Sequence, residues 1–177
     1  MKRVALMLVA LISIAGAGSL SAQGTRIGIG GGLLMPLGDY KNADKMGFLV
    51  GADATMWLQG APVGIRIEGD FSQTSHKNGV GGHTTLYGGL AELVYAFGPR
   101  VSPVRPYILG GVGYMHGKVE VTGFGSASES KAVFGAGGGL AFKMGTGGTR
   151  FFVEARWQSF QTSPSLKMIP IRAGFRF

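Results

Sequence analysis

Carboxylates and guanidiniums recur two residues apart in several segments of the chain: Arg66, Glu68 and Asp70 in one, Glu154 and Arg156 in another, with Arg172 and Arg176 spaced four apart in a third. Residues at even spacing share one face of an extended strand. Asp53, Glu92, Lys143 and Arg26 fall on the corresponding face of their own segments, so five acids oppose six bases. The chemistry open to such a set is ion pairing in a confined space, where Arg–carboxylate forks satisfy both partners. Two readings follow from it: a polar core that sets strand register, or a path that conducts protons or ions.

Other chemistries find less support. His76, His83 and His116 lack the close His/carboxylate spacing of a zinc site. His83, His116, Ser126, Ser128 and Glu129 form a Ser–His–acid set only if an outer rim brings them together. The glycine clusters never satisfy G-x-G-x-x-G, and no Walker motif is present. The absence of cysteine rules out disulfides, thiolate metal sites and a cysteine nucleophile. No catalytic residue, metal or cofactor is expected.

The elements that must position the charges are strands. Before them, Met1–Lys2–Arg3 is a basic start, Val4 to Ala15 an apolar run and Gly16 to Ala22 a small-residue tail, the layout of a secretory signal peptide cleaved after Ala22. That run is shorter than the ~20 residues a membrane-spanning helix needs. Residues 1–22 are therefore read as an address and residues 23–177 as one domain. Lys plus Arg exceed Asp plus Glu by 17 to 9, but an exported chain does not normally meet nucleic acid, so no nucleic-acid partner is expected.

After Ala22, two-residue alternation broken by Gly, Pro, Asn and Ser clusters places strands near 25–35, 47–58, 63–72, 84–97, 105–117, 131–144, 149–160 and 167–177. These are long for soluble strands and suit tilted strands crossing a bilayer. Connections at 36–46, 73–83, 118–130 and 161–166 are long and polar. Those at 59–62, 98–104 and 145–148 are short and rich in Gly and Pro. Long loops at one end and short turns at the other predict an all-β, eight-stranded antiparallel up-and-down transmembrane barrel.

Charge parity agrees. Phe151, Val153, Ala155 and Trp157 oppose Glu154 and Arg156; Ile169, Ile171, Ala173, Phe175 and Phe177 oppose Arg172 and Arg176; Val63, Ile65, Ile67 and Phe71 oppose Arg66, Glu68 and Asp70. A lipid-facing charge at mid-bilayer costs about 2–4 kcal/mol, so every such charge must point inward. A soluble sandwich or lipocalin-like barrel also alternates, with apolar residues inward; strand length and the leader favour the membrane barrel. The strand around Tyr107–Met115 carries no charge and leaves its phase open. Gly28, Gly30, Gly32, Gly135, Gly137 and Gly139 leave internal room for long Arg side chains. Tyr87, Tyr95, Phe97 and Trp157 suit aromatic girdles. Arg100, Arg105 and Arg150 sit at the short turns with no acids nearby, where bases contact lipid phosphates or water.

The stretches Arg105–Tyr114 (RPYILGGVGY), Phe151–Trp157 (FFVEARW) and Met168–Phe177 (MIPIRAGFRF) make the chain resemble the small outer-membrane β-barrel family that includes OmpA-like transmembrane domains. The resemblance implies a place in the cell outer membrane, contact with its lipids, and a C-terminal signal formed by Ile169, Ile171, Phe175 and Phe177 for the outer-membrane assembly machinery. With Phe177 as the last residue of the assembly signal, the periplasmic peptidoglycan-binding domain of full-length OmpA-type proteins is not expected. Pro170 departs from ideal strand chemistry and is expected at a bulge or near the rim. The expected role is structural or surface-interacting, through a ligand that barrel patterning does not specify. A narrow, porin-like passage for ions or small solutes is the alternative, and a lipid A-modifying enzyme stands behind it.

Overall fold

The computed structural model describes residues 24–77, 81–123, 125–161 and 166–177, so the proposed leader and its cleavage bond lie outside the described residues. Eight strands run β1 Thr25–Leu37, β2 Gly47–Trp57, β3 Val63–Ser75, β4 Gly82–Ala96, β5 Val104–Val121, β6 Gly125–Lys143, β7 Arg150–Phe160 and β8 Lys167–Arg176. Each pairs antiparallel with its sequence neighbour, and β1 closes on β8 from Gly28↔Arg176 to Leu37↔Lys167. Closure leaves no free edge across the span, which is the condition for placing a sheet in hydrocarbon.

The two faces of this cylinder have exchanged the usual roles. Ile67, Leu93, Val112 and Ile108 are more than half exposed on the outside, while Arg66, Glu68, Glu154 and Arg172 are 1% exposed within. Such an apolar exterior requires a non-aqueous surrounding. Aromatic residues border the belt on both sides. Phe48, Phe71, Tyr87, Phe134 and Trp157 mark the long-loop side; Tyr95, Phe97, Phe142, Phe151 and Phe175 mark the short-turn side.

The interior is layered. On the long-loop side Leu34, Leu49, Leu86, Leu90, Met115, Val133, Phe160 and Met168 form an apolar plug, all at most 3% exposed. A short helix, α1 Gly38–Ala43, lies over this mouth and buries Tyr40 into the same cluster. The Tyr40 hydroxyl meets Thr74 Oγ1 at 2.9 Å, and Thr74 Oγ1 donates to Asp44 Oδ2 at 2.5 Å. The charged layer lies beneath the plug. Below that, Val94, Ala96, Tyr107, Leu109 and Ala141 pack against Trp57.

The structure departs from the alternation reading in four places. α1 was unforeseen, because six residues are too few to show a helical period. The polar segment 118–130, expected as a loop, is instead the continuation of β5 and β6, paired rung by rung to Val121↔Gly125. Polar side chains on both faces hide a strand that stands above the lipid, but its backbone ladder forms regardless. β3 and β4 likewise reach Ser75 and Gly82. Of the two places expected for Pro170, the bulge is not found and the position near the rim is, three residues into β8: between Ala155↔Ile171 and Gln158↔Met168 the ladder skips two rungs with no residue inserted, while Leu34↔Pro170 is kept on the other side. Proline lacks only the N–H, so it removes rungs toward one neighbour without shifting register. The open phase of β5 is fixed as well, with Tyr107, Leu109 and Met115 inward and Ile108, Val112 and Tyr114 outward.

Candidate functional site

The inward face of β2, β3, β4, β7 and β8 brings the charges into one layer. Asp53 on β2 receives Arg176 Nε at 3.1 Å, lies 3.7 Å from Arg66 Nε, and accepts from Arg172 Nη2. Glu68 on β3 accepts from Arg156 Nη2 and lies 2.9 Å from Arg172 Nη1. Glu92 on β4 accepts from Arg156 Nη1 at 2.9 Å. Glu154 on β7 meets Arg66 Nη1 at 2.8 Å, Arg156 Nε at 3.2 Å and Arg176 Nη2 at 3.3 Å. Asp70 is the loosest member, 3.4 Å from Arg172 and 3.8 Å from Arg156, and its side chain is 10% exposed. Every guanidinium is shared between acids on different strands, so the layer ties the cylinder across its bore.

Inward glycines make this density possible. A Cβ on Gly137 would lie 2.6 Å from Arg156 Cα and 2.7 Å from its Cγ, and one on Gly28 would lie 2.8 Å from Asp53 Cγ and 2.9 Å from Arg176 Cγ. Those contacts are closer than carbon atoms approach without displacement, so glycine here provides space for the neighbouring charged side chain.

Two charges placed in the inward set by parity do not belong to this layer. Lys143 is exposed at the last residue of β6, where its backbone N–H donates to Pro103 O, and no acid pairs with it among the described residues. Arg26 stands at the start of β1 and donates to Gly148 O. Parity specifies a face and says nothing of depth. The buried layer therefore holds five acids, Asp53, Glu68, Asp70, Glu92 and Glu154, against four arginines, Arg66, Arg156, Arg172 and Arg176.

Three uncharged residues that sequence reasoning missed complete the layer. The Tyr107 hydroxyl donates to Glu154 Oε2 at 2.7 Å and accepts from Arg176 Nη1 at 3.2 Å. Thr55 Oγ1 accepts from Arg66 Nε at 3.2 Å and donates to Asp53 Oδ1 at 3.3 Å. Phe152, fully buried, offers its ring to Arg176 at 3.9 Å and Arg172 at 5.1 Å. The parity of Thr55 with Asp53, and of Phe152 with Glu154, carried a signal for two of them. For Tyr107 the signal is Arg105, two residues earlier on the same face, but its place beside a short turn hides that it marks the strand's inward face.

The outer-rim hydrolase set does not assemble. His83 Nε2 meets Glu120 at 2.6 Å, whereas His116 Nδ1 meets Ser130 Oγ at 2.7 Å, a serine not in the expected set. Glu129 pairs with Lys131 at 2.5 Å. Among the described residues no group of three His or acidic side chains is arranged to hold a metal.

A family model described as outer membrane protein beta-barrel domain matches residues 5–177. No curated protein matches the chain. Among solved structures, the Neisserial surface protein A (NspA) is 16% identical with a TM-score of 0.67, over 86% of this chain and 96% of that one. A major outer membrane protein from Thermus thermophilus is 11% identical with a TM-score of 0.61, over 86% and 98%. The outer membrane enzyme PagL is 13% identical with a TM-score of 0.56, over 86% and 98%. At these identities the likeness is one of fold. With the family match running almost from end to end, and an oily, closed, eight-stranded cylinder beneath it, the chain belongs to the outer membrane protein beta-barrel domain family and resides in the cell outer membrane.

Proposed function

We propose that the protein is a sealed barrel that acts at the cell surface, with the charged layer as a structural tie and not as a conducting path. The carrying observation is the apolar plug. Leu49, Leu86, Leu90, Met115, Val133, Phe160 and Met168 fill the bore above the charges, and α1 seats Tyr40 over them. A dry apolar constriction opposes ion passage, and an eight-stranded barrel has little internal space beyond what side chains fill.

What remains for interaction is the surface above the belt. β5 and β6 pair as far as Val121↔Gly125, but β7 begins to pair with β6 only at Val133↔Phe160. Residues Gly125–Lys131 of β6 are therefore a polar strand edge without a β7 neighbour, rich in serine and exposed over most of its length. An unpaired edge offers main-chain donors and acceptors to an added strand, which makes a peptide segment of another protein the fitting partner. Below it, outer-membrane lipids surround the belt. The outward row Ile169, Ile171, Phe175 and Phe177 is what the assembly machinery reads during insertion. The lipid A-modifying alternative is left with the His116–Ser130 contact and no acid joined to it among the described residues.

Two measurements test this reading. The protein reconstituted in planar bilayers is expected to give no stable single-channel steps; such steps would overturn the sealed bore. Deleting residues 117–120 together with 126–129 removes four rungs of the hairpin while keeping the pleat in phase. Cells displaying this variant are expected to lose at least tenfold in retention on an immobilised library of extended peptides, with heat-dependent gel migration unchanged. Undiminished retention would remove the hairpin from the function.

A further inference from the structure

The short-turn end of the barrel carries a second concentration of charged side chains, separate from the paired layer and made of arginines. A cavity of about 290 Å³ opens there, lined by Arg26, Arg100, Arg105 and Arg150 together with Trp57 and Tyr107. The turns around it, 58–62, 97–103 and 144–149, contain no acid. Among the described residues no carboxylate side chain pairs with any of these four arginines, and none of the residues outside the description is acidic. Arg66 and Arg176 also reach the cavity from above, but Asp53 and Glu154 already neutralise them.

The four guanidiniums are held in place by neutral groups. Arg150 donates to Ala141 O at 3.3 Å, Arg100 O at 2.7 Å and Ser102 O at 3.1 Å. Arg100 donates to Leu58 O at 2.9 Å, and Arg26 to Gly148 O. Carbonyl oxygens fix a guanidinium without cancelling its charge. Arg105 differs from the other three. It is 8% exposed, its guanidinium stacks 4.9 Å from the Trp57 ring centroid, and its Nε is buried with no hydrogen-bond acceptor among the described residues. A buried charged donor left unmatched is unfavourable, and so is a ring of like charges. An anion entering the cavity would relieve both penalties at once.

We propose that this cavity is a binding site for a phosphate-class oxyanion, either free in the periplasm or carried on the headgroup of an inner-leaflet phospholipid. Planar guanidiniums match phosphate oxygens in paired hydrogen bonds. The contact with Trp57 restrains Arg105 at the cavity wall before any ligand binds. The position suits both sources: the short turns face the periplasm, and the row Tyr95, Phe97 and Phe151 places the headgroup level of the inner leaflet beside the cavity mouth. This inference is independent of whether the outer hairpin has a partner.

The test uses the folded barrel in a maltoside detergent and phosphate-free buffer. Inorganic phosphate and dihexanoylphosphatidylglycerol are titrated separately and followed by calorimetry and by phosphorus NMR. Saturable binding at one site per barrel is expected with at least one probe. Response to inorganic phosphate alone identifies the free ion, response to the lipid alone identifies the headgroup, and response to both identifies a site that reads the phosphate group itself. Arg105→Gln is expected to weaken binding at least tenfold, and Arg26→Gln, at a half-buried position, provides a second variant should the first fail to fold. Lys143→Gln, at the same rim but outside the cavity, is expected to change affinity less than twofold. Absence of saturable binding with either probe, retention of full affinity in the arginine variants, or an equal loss in Lys143→Gln would each overturn the proposal.

Discussion

Glu154→Gln is expected to destabilise the folded barrel by about 3 kcal/mol, the lower end of what breaking a buried ion pair costs. Glu154 lies within 3.3 Å of Arg66, Arg156 and Arg176 and accepts the Tyr107 hydroxyl, and all five residues are 1–6% exposed. Glutamine keeps the volume and a carbonyl for Tyr107 but removes the charge. The loss stays near the lower end because each arginine retains another acid: Asp53 and Glu92 for Arg66, Glu68 and Glu92 for Arg156, Asp53 for Arg176. Asp70→Asn supplies the contrast. Asp70 comes no closer to an arginine than 3.4 Å, and five acids already outnumber four arginines in the layer, so its neutralisation is expected to change stability by less than about 1 kcal/mol. Equilibrium urea unfolding in phospholipid vesicles, read by the fluorescence of Trp57 and Trp157, measures both. A Glu154→Gln transition that coincides with the parent's, or an Asp70→Asn shift as large as that of Glu154→Gln, would show that the layer does not hold the strands through charge.

The comparison of those two acids also shows what alternation encodes. Lipid penalises an outward charge so strongly that the face of Asp53, Glu68, Asp70, Glu92, Glu154 and the four arginines could be read from spacing alone. The same reasoning placed Lys143 and Arg26 on the inward face but could not tell that they stand at the rim, since a two-residue period contains no measure of depth. It also implied a polar interior, whereas the long-loop end of the bore is filled by Leu86, Leu90, Met115 and their neighbours. Inward positions near the outer mouth need only to exclude water, and leucine does that as well as an ion pair. β5 was illegible for a related reason: Ile108 and Leu109 are both apolar although one faces lipid and the other the lumen, and Gly110, Gly111 and Gly113 carry no side chain to report a face. Above the belt the lipid constraint disappears, so the polar residues of 118–130 resembled a loop while their backbone continued the ladder. The partners of Tyr107 and Arg105 lie 47 and 48 residues away in sequence, at Glu154 and Trp57, and only the closed register brings them together.

The outer face is governed by the opposite rule, and Ile67→Arg tests it at its centre. Ile67 is 52% exposed and lies between Ala54 and Ala91, midway along β3 between Phe71 on the long-loop side and Val63, which pairs with Tyr95, on the other. A guanidinium there meets hydrocarbon, and the expected loss of folding stability in vesicles is about 2–4 kcal/mol. The neighbouring Arg66 carries the same group one residue earlier at no such cost, because it turns inward to Glu154. Ser128→Arg, an outward and exposed position on the projecting hairpin, is expected to shift stability by no more than about 0.5 kcal/mol, as surface substitutions usually do. The two variants add the same side chain to the same outer face of the cylinder and differ only in height. Unfolding midpoints in the same vesicles therefore place the edge of the hydrocarbon between them. Equal shifts would mean that the belt and the hairpin meet one solvent, and the apolar exterior would then require an explanation other than a bilayer.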